Sequence, residues 1–109
     1  MEETVSLHAL KALVEKKTKK KILIKVIWND QEKMTLFITP NMNIHSFIFD
    51  KNDGYIFYDQ EGNPLTRDIP LVIPEKNLED GKVLLSESLL LNHQPLSHED
   101  RLFLKNDAL

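Results

Sequence analysis

Four histidines stand in the chain, His8, His45, His93 and His98, and the last two lie five residues apart with Glu99 and Asp100 beside them. Imidazoles next to carboxylates hold metals and relay protons. The spacing does not serve either purpose. Two ligands on one helix face need a four-residue step, and Pro95 interrupts any helix between them. His93 and His98 therefore read as a surface loop and a helix start, with no metal site and no cofactor expected. Ser86, Ser88 and Ser97 lack the glycine elbow that presents a nucleophilic hydroxyl. Asp50, Asp53, Asp59, Glu61, Glu79 and Asp80 fall in turn-like stretches, and Asp50-Lys51-Asn52-Asp53-Gly54 breaks the alternate-position phase of a calcium loop. Gly54, Gly62 and Gly81 are isolated, unlike a phosphate-cradling loop. The absence of cysteine excludes disulfides, thiolate catalysis and Cys-based zinc binding. No catalytic residues emerge, and the chain is expected not to be an enzyme.

The strongest charge feature is the run Lys16-Lys17-Thr18-Lys19-Lys20-Lys21. Lysines so placed can neutralise nucleic-acid phosphates, which would make the chain a nucleic-acid-associated accessory factor. They also suit the negative pole at a helix C-terminus and discourage edge-to-edge pairing of the strand behind them. The formal net charge of −3 favours the second reading. Tyr55, Phe57 and Tyr58 offer stacking surface, yet acids flank them on both sides.

The elements that must position these residues follow from periodicity. Leu7, Leu10, Leu13 and Val14 recur at helical spacing, with Ser6 placed to cap them. Ile22 to Trp28 and Met34 to Ile38 alternate as two strands about the turn Asn29-Asp30-Gln31-Glu32. Ile22, Ile24, Val26 and Trp28 are expected on the inner side of the first strand. Leu23 and Ile27 are then apolar on its outer side. Pro70 and Pro74 are expected to confine Leu71-Val72-Ile73 to an edge or a loop. Leu78 to Leu85 reads as turn then strand. Ser97 and Asp100 form a capping-box variant ahead of Leu102, Phe103 and Leu104.

The stretch from Ile22 onward resembles the first half of the ubiquitin-like β-grasp fold. Three inward residues on each strand, Ile22, Ile24, Val26 and Met34, Leu36, Ile38, precede Pro40, and Ile44 and Phe47 stand where the family's helix would begin. Leu65 is similar to the buried leucine after the third strand, and Leu78 to Leu85 to the final turn and strand. The resemblance implies binding through an exposed sheet face, with Tyr55, Phe57 and Tyr58 as anchors. The end of the chain carries no Gly-Gly tail, so it implies no conjugated modifier or sulfur carrier. Residues 44–50 also carry the strand formers Phe47-Ile48-Phe49, followed by a turn at Lys51 to Gly54, so a second hairpin competes with the helix.

At 109 residues, with 41% apolar and 28% charged side chains, one domain is expected. Residues 1–20 are expected as an N-terminal helix, 21–88 as a β-rich core and 89–109 as a C-terminal extension with a short helix. The fold class is α+β: a small antiparallel or mixed sheet of β-grasp type with terminal helices, or alternatively an antiparallel hairpin meander or small barrel with the same helices. Met1-Glu2-Glu3-Thr4-Val5 opens with acids rather than a cationic leader, and no apolar run approaches the roughly 18 residues of a membrane span. A cytoplasmic location is expected, with a nuclear one compatible. The expected function is non-enzymatic binding of another protein, in a homo- or hetero-oligomer, through Tyr55, Phe57, Tyr58, Leu23 and Ile27. Nucleic-acid contact through Lys16, Lys17, Lys19, Lys20 and Lys21 is the alternative.

Overall fold

Ser6 ends one element and starts the next. It closes strand β1 (Glu3–Ser6), and its hydroxyl accepts the Ala9 N–H at 3.0 Å to cap helix α1 (Leu7–Thr18). The computed structural model describes residues 3–65, 68–86 and 89–107. Ser88, Ala108 and Leu109 lie outside the described residues. α1 buries Ala9, Leu10, Leu13 and Val14 and stops at Lys19, whose left-handed backbone returns its N–H to the Glu15 carbonyl at 2.9 Å. The Glu15 carboxylate then accepts the Ile22 N–H at 3.1 Å and turns the chain into the sheet.

The sheet begins with the hairpin of β2 (Leu23–Trp28) and β3 (Lys33–Ile38). Next come β4 (Ser46–Asp50), β5 (Gly54–Tyr58), β6 (Leu71–Pro74) and a single 3-10 turn at Glu75–Asn77. The short strands β7 (Leu78–Glu79), β8 (Lys82–Leu85), β9 (Leu90–Leu91) and β10 (Gln94–Pro95) lead to helix α2 (His98–Asp107). The described strands form three antiparallel sheets: five strands in the order β10-β9-β6-β3-β2, three in the order β1-β8-β7, and the β4–β5 hairpin. The class is α+β, with one helix near each end of the described chain.

β3 is the central divide. Its alternation sends Phe37 to one face, where it joins Leu71 and Ile73 of β6, the apolar stripe of α1, Val5, Val83 and Leu104. Met34, Leu36 and Ile38 point to the other face and pack with Ile44, Phe47, Phe57 and Ile69 under the β4–β5 hairpin. Each large side chain buried this way contributes about 1.5–3 kcal/mol of hydrophobic stabilisation. Leu65 is partly buried against the same cluster.

Three expectations are corrected. Residues 44–50 contain no helix; Ser46–Asp50 is strand β4. Its turn is set by the Asp50 carboxylate, which accepts the N–H groups of Asn52 and Asp53 at 2.7 and 3.0 Å, and by Gly54 at φ +79°. Seven residues are too few for a self-sustaining helix, while a hairpin here buries both Phe47 and Phe57. Leu71–Ile73 is not at an edge. β6 lies between β3 and β9, and its prolines are tolerated because Pro70 precedes the strand and Pro74 ends it, beyond the one residue, Leu71, that pairs with β9. The faces of β2 are also reversed. Asn29 and Glu32 close a two-residue loop, so Leu23, Lys25 and Ile27 lie opposite Ile38, Leu36 and Met34, and Ile24, Val26 and Trp28 take the other side.

Candidate functional site: the free edge of the sheet

The reversed strand leaves its apolar side uncovered. Among the described residues β2 pairs with β3 alone and forms one edge of the five-stranded sheet. α1 covers the face at Phe37, Leu71 and Ile73 but does not bury this end of it. Ile24 is 40%, Val26 48% and Trp28 67% exposed, and Leu23 on the opposite side is 50% exposed. Among the described residues, half of the eight large exposed hydrophobics thus belong to one six-residue strand.

Backbone parity places the polar groups of this edge. The Asn29 N–H donates to the Glu32 carbonyl at 2.9 Å, which makes that pair a hydrogen-bonded one. Counting back along the ladder, Ile27, Lys25 and Leu23 also exchange bonds with β3. The N–H and C=O groups of Ile24, Val26 and Trp28 therefore point away from β3, out of the sheet edge. The three exposed apolar side chains on this face, Ile24, Val26 and Trp28, thus sit on the residues with outward backbone groups, whereas the exposed Leu23 bonds to β3.

The opposite face of β2 is anchored. Lys25 Nζ donates to the Ile44 carbonyl at 2.8 Å, and Asn29 Nδ2 to the Phe47 carbonyl at 3.2 Å. These bonds hold β4 and the residues before it beneath β2, while the Leu65 N–H donates to the Phe57 carbonyl on the other side of the hairpin. The remaining edge of the large sheet, β10, is two residues long and ends in Pro95, which has no N–H to offer. Lys33 Nζ lies 5.5 Å from the Trp28 ring centroid and steadies the indole at the end of the exposed stripe.

The expected anchor residues divide. Phe57 is 1% and Ile27 6% exposed, both within the core under the hairpin, so neither presents a contact surface. Tyr55 and Tyr58 are half-buried. Tyr55 packs edge-on against Phe47 and Phe49, with centroids 6.1 and 5.1 Å away, and donates to Glu32 Oε1 at 3.0 Å. Burial, then the bond to Glu32, pushes its phenol above the ordinary value of 10.0. Leu23 remains at the free strand, separated from Ile24, Val26 and Trp28 by the pleat.

The lysine run is partly absorbed by the fold. Lys17 Nζ lies 2.9 Å from the Asp100 carboxylate, and Lys16 Nζ stands 4.7 Å from the Phe103 ring centroid. Lys19 supplies the left-handed cap of α1, and Lys20 and Lys21 are exposed. All five lysines are exposed, and among the described ion pairs Lys17 is the member of the run that has a carboxylate partner.

His93 occupies, with Asn92, the left-handed turn between β9 and β10, and His98 starts α2; both are exposed. Among the described residues no group of three or more His, Asp or Glu converges to hold a metal. A concavity of about 730 Å³ lies between the end of α1, the loop at Thr39–Asn43 and the residues Asp59, Glu61, Leu65 and Asp68. Its described lining includes Asp59, but that carboxylate accepts the N–H groups of Asn63 and Glu61 at 2.8 and 3.0 Å. Chiefly the bond from the Asn63 N–H holds its pKa below the ordinary value of 3.8. A carboxylate fixed as an anion and spent on its own loop is a poor proton shuttle near neutral pH.

The site that emerges was hidden by loop length. Placing Ile24 with Met34, Leu36 and Ile38 requires an odd number of loop residues, whereas Asp30 and Gln31 alone separate the bonded pair. Counting that loop from the Asn29 turn signal would have turned the strand over. Among the described residues no helix is long and apolar enough to cross a membrane. No protein-family model matches the chain, and neither a curated protein nor a solved structure matches it.

Proposed function

We propose that the chain is a non-enzymatic protein-interaction module that takes up an extended segment of polypeptide along β2. One observation carries this reading: Ile24, Val26 and Trp28 combine exposed apolar side chains with unpaired backbone groups directed out of the sheet. A strand laid against such an edge gains main-chain hydrogen bonds, and its alternate side chains pack on the apolar stripe. A long apolar edge with neither proline nor a bulge invites a partner, and proteins that lack one usually blunt it. The contact through an exposed sheet that the ubiquitin-like resemblance implies supports the same reading, with β2 in place of the third-strand aromatics. Tyr58, at the end of β5, does not join this stripe.

A photo-crosslinking residue in place of Trp28, with a control in place of the exposed Asp53, tests the reading in cells making the full chain. Adducts to polypeptide are expected from position 28, weakened by Val26→Lys and missing from position 53. If position 28 captures no polypeptide of any kind, β2 is not a protein-binding edge.

A further inference from the structure

We infer, resting on the protein-binding reading of β2, that the strand it takes up is β2 of a second copy of this chain, paired antiparallel across a two-fold axis at Val26. The backbone parity permits only a few such registers. Hydrogen-bonded pairs across the new seam must join Ile24, Val26 and Trp28, the residues whose N–H and C=O groups leave the sheet. With the axis on Val26, Ile24 of each copy faces Trp28 of the other and Val26 faces itself. Every outward group of the strand is then satisfied. Moving the axis back to Lys25 sets two lysines directly opposite each other, a destabilising pair. Moving it forward to Ile27 carries Ile24 past the end of the strand, opposite Asp30.

Side chains and charge select the same register. The three exposed apolar side chains of each copy fall on one face of the joined sheet, so Ile24, Val26 and Trp28 form a continuous patch across the seam. On the reverse face Lys25 lies opposite Ile27, and its ammonium is already bound to the Ile44 carbonyl at 2.8 Å. Beyond the strand, the exposed Lys20 and Lys21 of each copy approach the turn carrying Asp30 and Glu32 in its mate, once at each end of the seam. A strand with a basic entry and an acidic exit is complementary to itself only when antiparallel. The symmetry is that of a closed dimer, and the pairing removes the apolar edge of β2 from the assembly.

The axis makes residue 26 its own neighbour, and this sets the test. Val26 is 48% exposed, so Val26→Lys and Val26→Glu are compatible with the fold, which circular dichroism verifies. Sedimentation equilibrium of the purified full-length chain is expected to show a dimer. Each variant alone places like charges at the axis and raises the dissociation constant about tenfold or more. An equimolar mixture of the two variants restores the dimer. A wild-type chain that stays monomeric up to about millimolar concentration overturns the inference, since such affinity is the floor for a specific complex. So does a Val26→Lys variant that dimerises like the wild type, or a mixture that fails to recover. In each of these cases the crosslink from position 28 separates the two levels: an adduct to a different polypeptide leaves the protein-binding reading standing, and no adduct ends both.

Discussion

Asp100 is the buried carboxylate on which the α1–α2 junction turns, and its replacement gives a graded result. One oxygen accepts the Ser97 N–H at 3.2 Å while the Ser97 hydroxyl accepts the Asp100 N–H at 3.1 Å, a reciprocal cap on α2. The other oxygen meets Lys17 Nζ at 2.9 Å. Asp100→Ala removes both. The Ser97 hydroxyl keeps its bond to the backbone N–H of residue 100, and loss of the bond from the Ser97 N–H to the carboxylate costs about 1 kcal/mol. Loss of a charge-assisted bond adds about 1–1.5 kcal/mol, at the low end because the lysine is partly solvated. In a chain of this length a total of about 2–2.5 kcal/mol lowers the melting temperature by roughly 8–10 °C. Asp100→Asn keeps an oxygen for Ser97 and loses only the ionic part, about 1 kcal/mol. Burial pushes the Asp100 pKa up, but the bonds from Lys17 and Ser97 outweigh it and hold it below the ordinary 3.8. A group with a depressed folded pKa stabilises fully above its unfolded value and loses that contribution as pH falls through the folded one. The gap between wild type and Asp100→Ala should therefore be constant from neutrality to about pH 5 and shrink below about pH 4. Urea unfolding followed by far-UV circular dichroism is the assay, because Trp28 is already exposed in the native state and reports little by fluorescence. Equal losses for the two variants at pH 7, or a gap unchanged at pH 3, would refute this account of the junction.

Two further outcomes are expected. Phe57→Ala empties the core under the hairpin and should cost about 3–5 kcal/mol, whereas Tyr58→Ala, at a half-buried position, should cost under about 1 kcal/mol; urea midpoints of the two variants make the comparison. Gly81, at φ +78° beside Asp80 at φ 52°, forms the turn between β7 and β8, and an added Cβ there meets no atom within 4 Å. Gly81→Ala should still cost about 1 kcal/mol in the same assay, purely from the left-handed backbone, and Gly81→Asn should cost less.

Features encoded within a few residues were legible in the sequence. Ser6 and the Ser97–Asp100 pair act as caps because a side-chain oxygen three residues from an N–H has little choice of partner. The β2–β3 hairpin and the Asp80-Gly81 turn follow from alternation and turn chemistry. What depended on the rest of the chain was not legible. Glu3–Ser6 carries one apolar residue, Val5, and becomes a strand only because β8 lies beside it. Phe47-Ile48-Phe49 satisfies both periods over so short a run, and the hairpin prevails through contacts with β2 and β3. The free edge was the hardest feature to foresee. Ile24, Val26 and Trp28 have the composition of a core strand, and nothing local states that α1 stops short of covering them.

The pairing of β1 with β8 joins Glu3 to Leu85, so the first described strand completes its sheet with one of the last. During synthesis the ribosome must deliver about 80 further residues before that partner exists, a wait of roughly 4–16 s at ordinary elongation rates. Early in that interval only Ile22 and Phe37 are present to pack on Leu10 and Leu13, Leu71 and Ile73 follow, and Val83 and Leu104 come last, while the β2–β3 hairpin can already form. The nascent chain thus carries an unfinished core late into translation, and the segment from β8 through α2 is the latch that completes it.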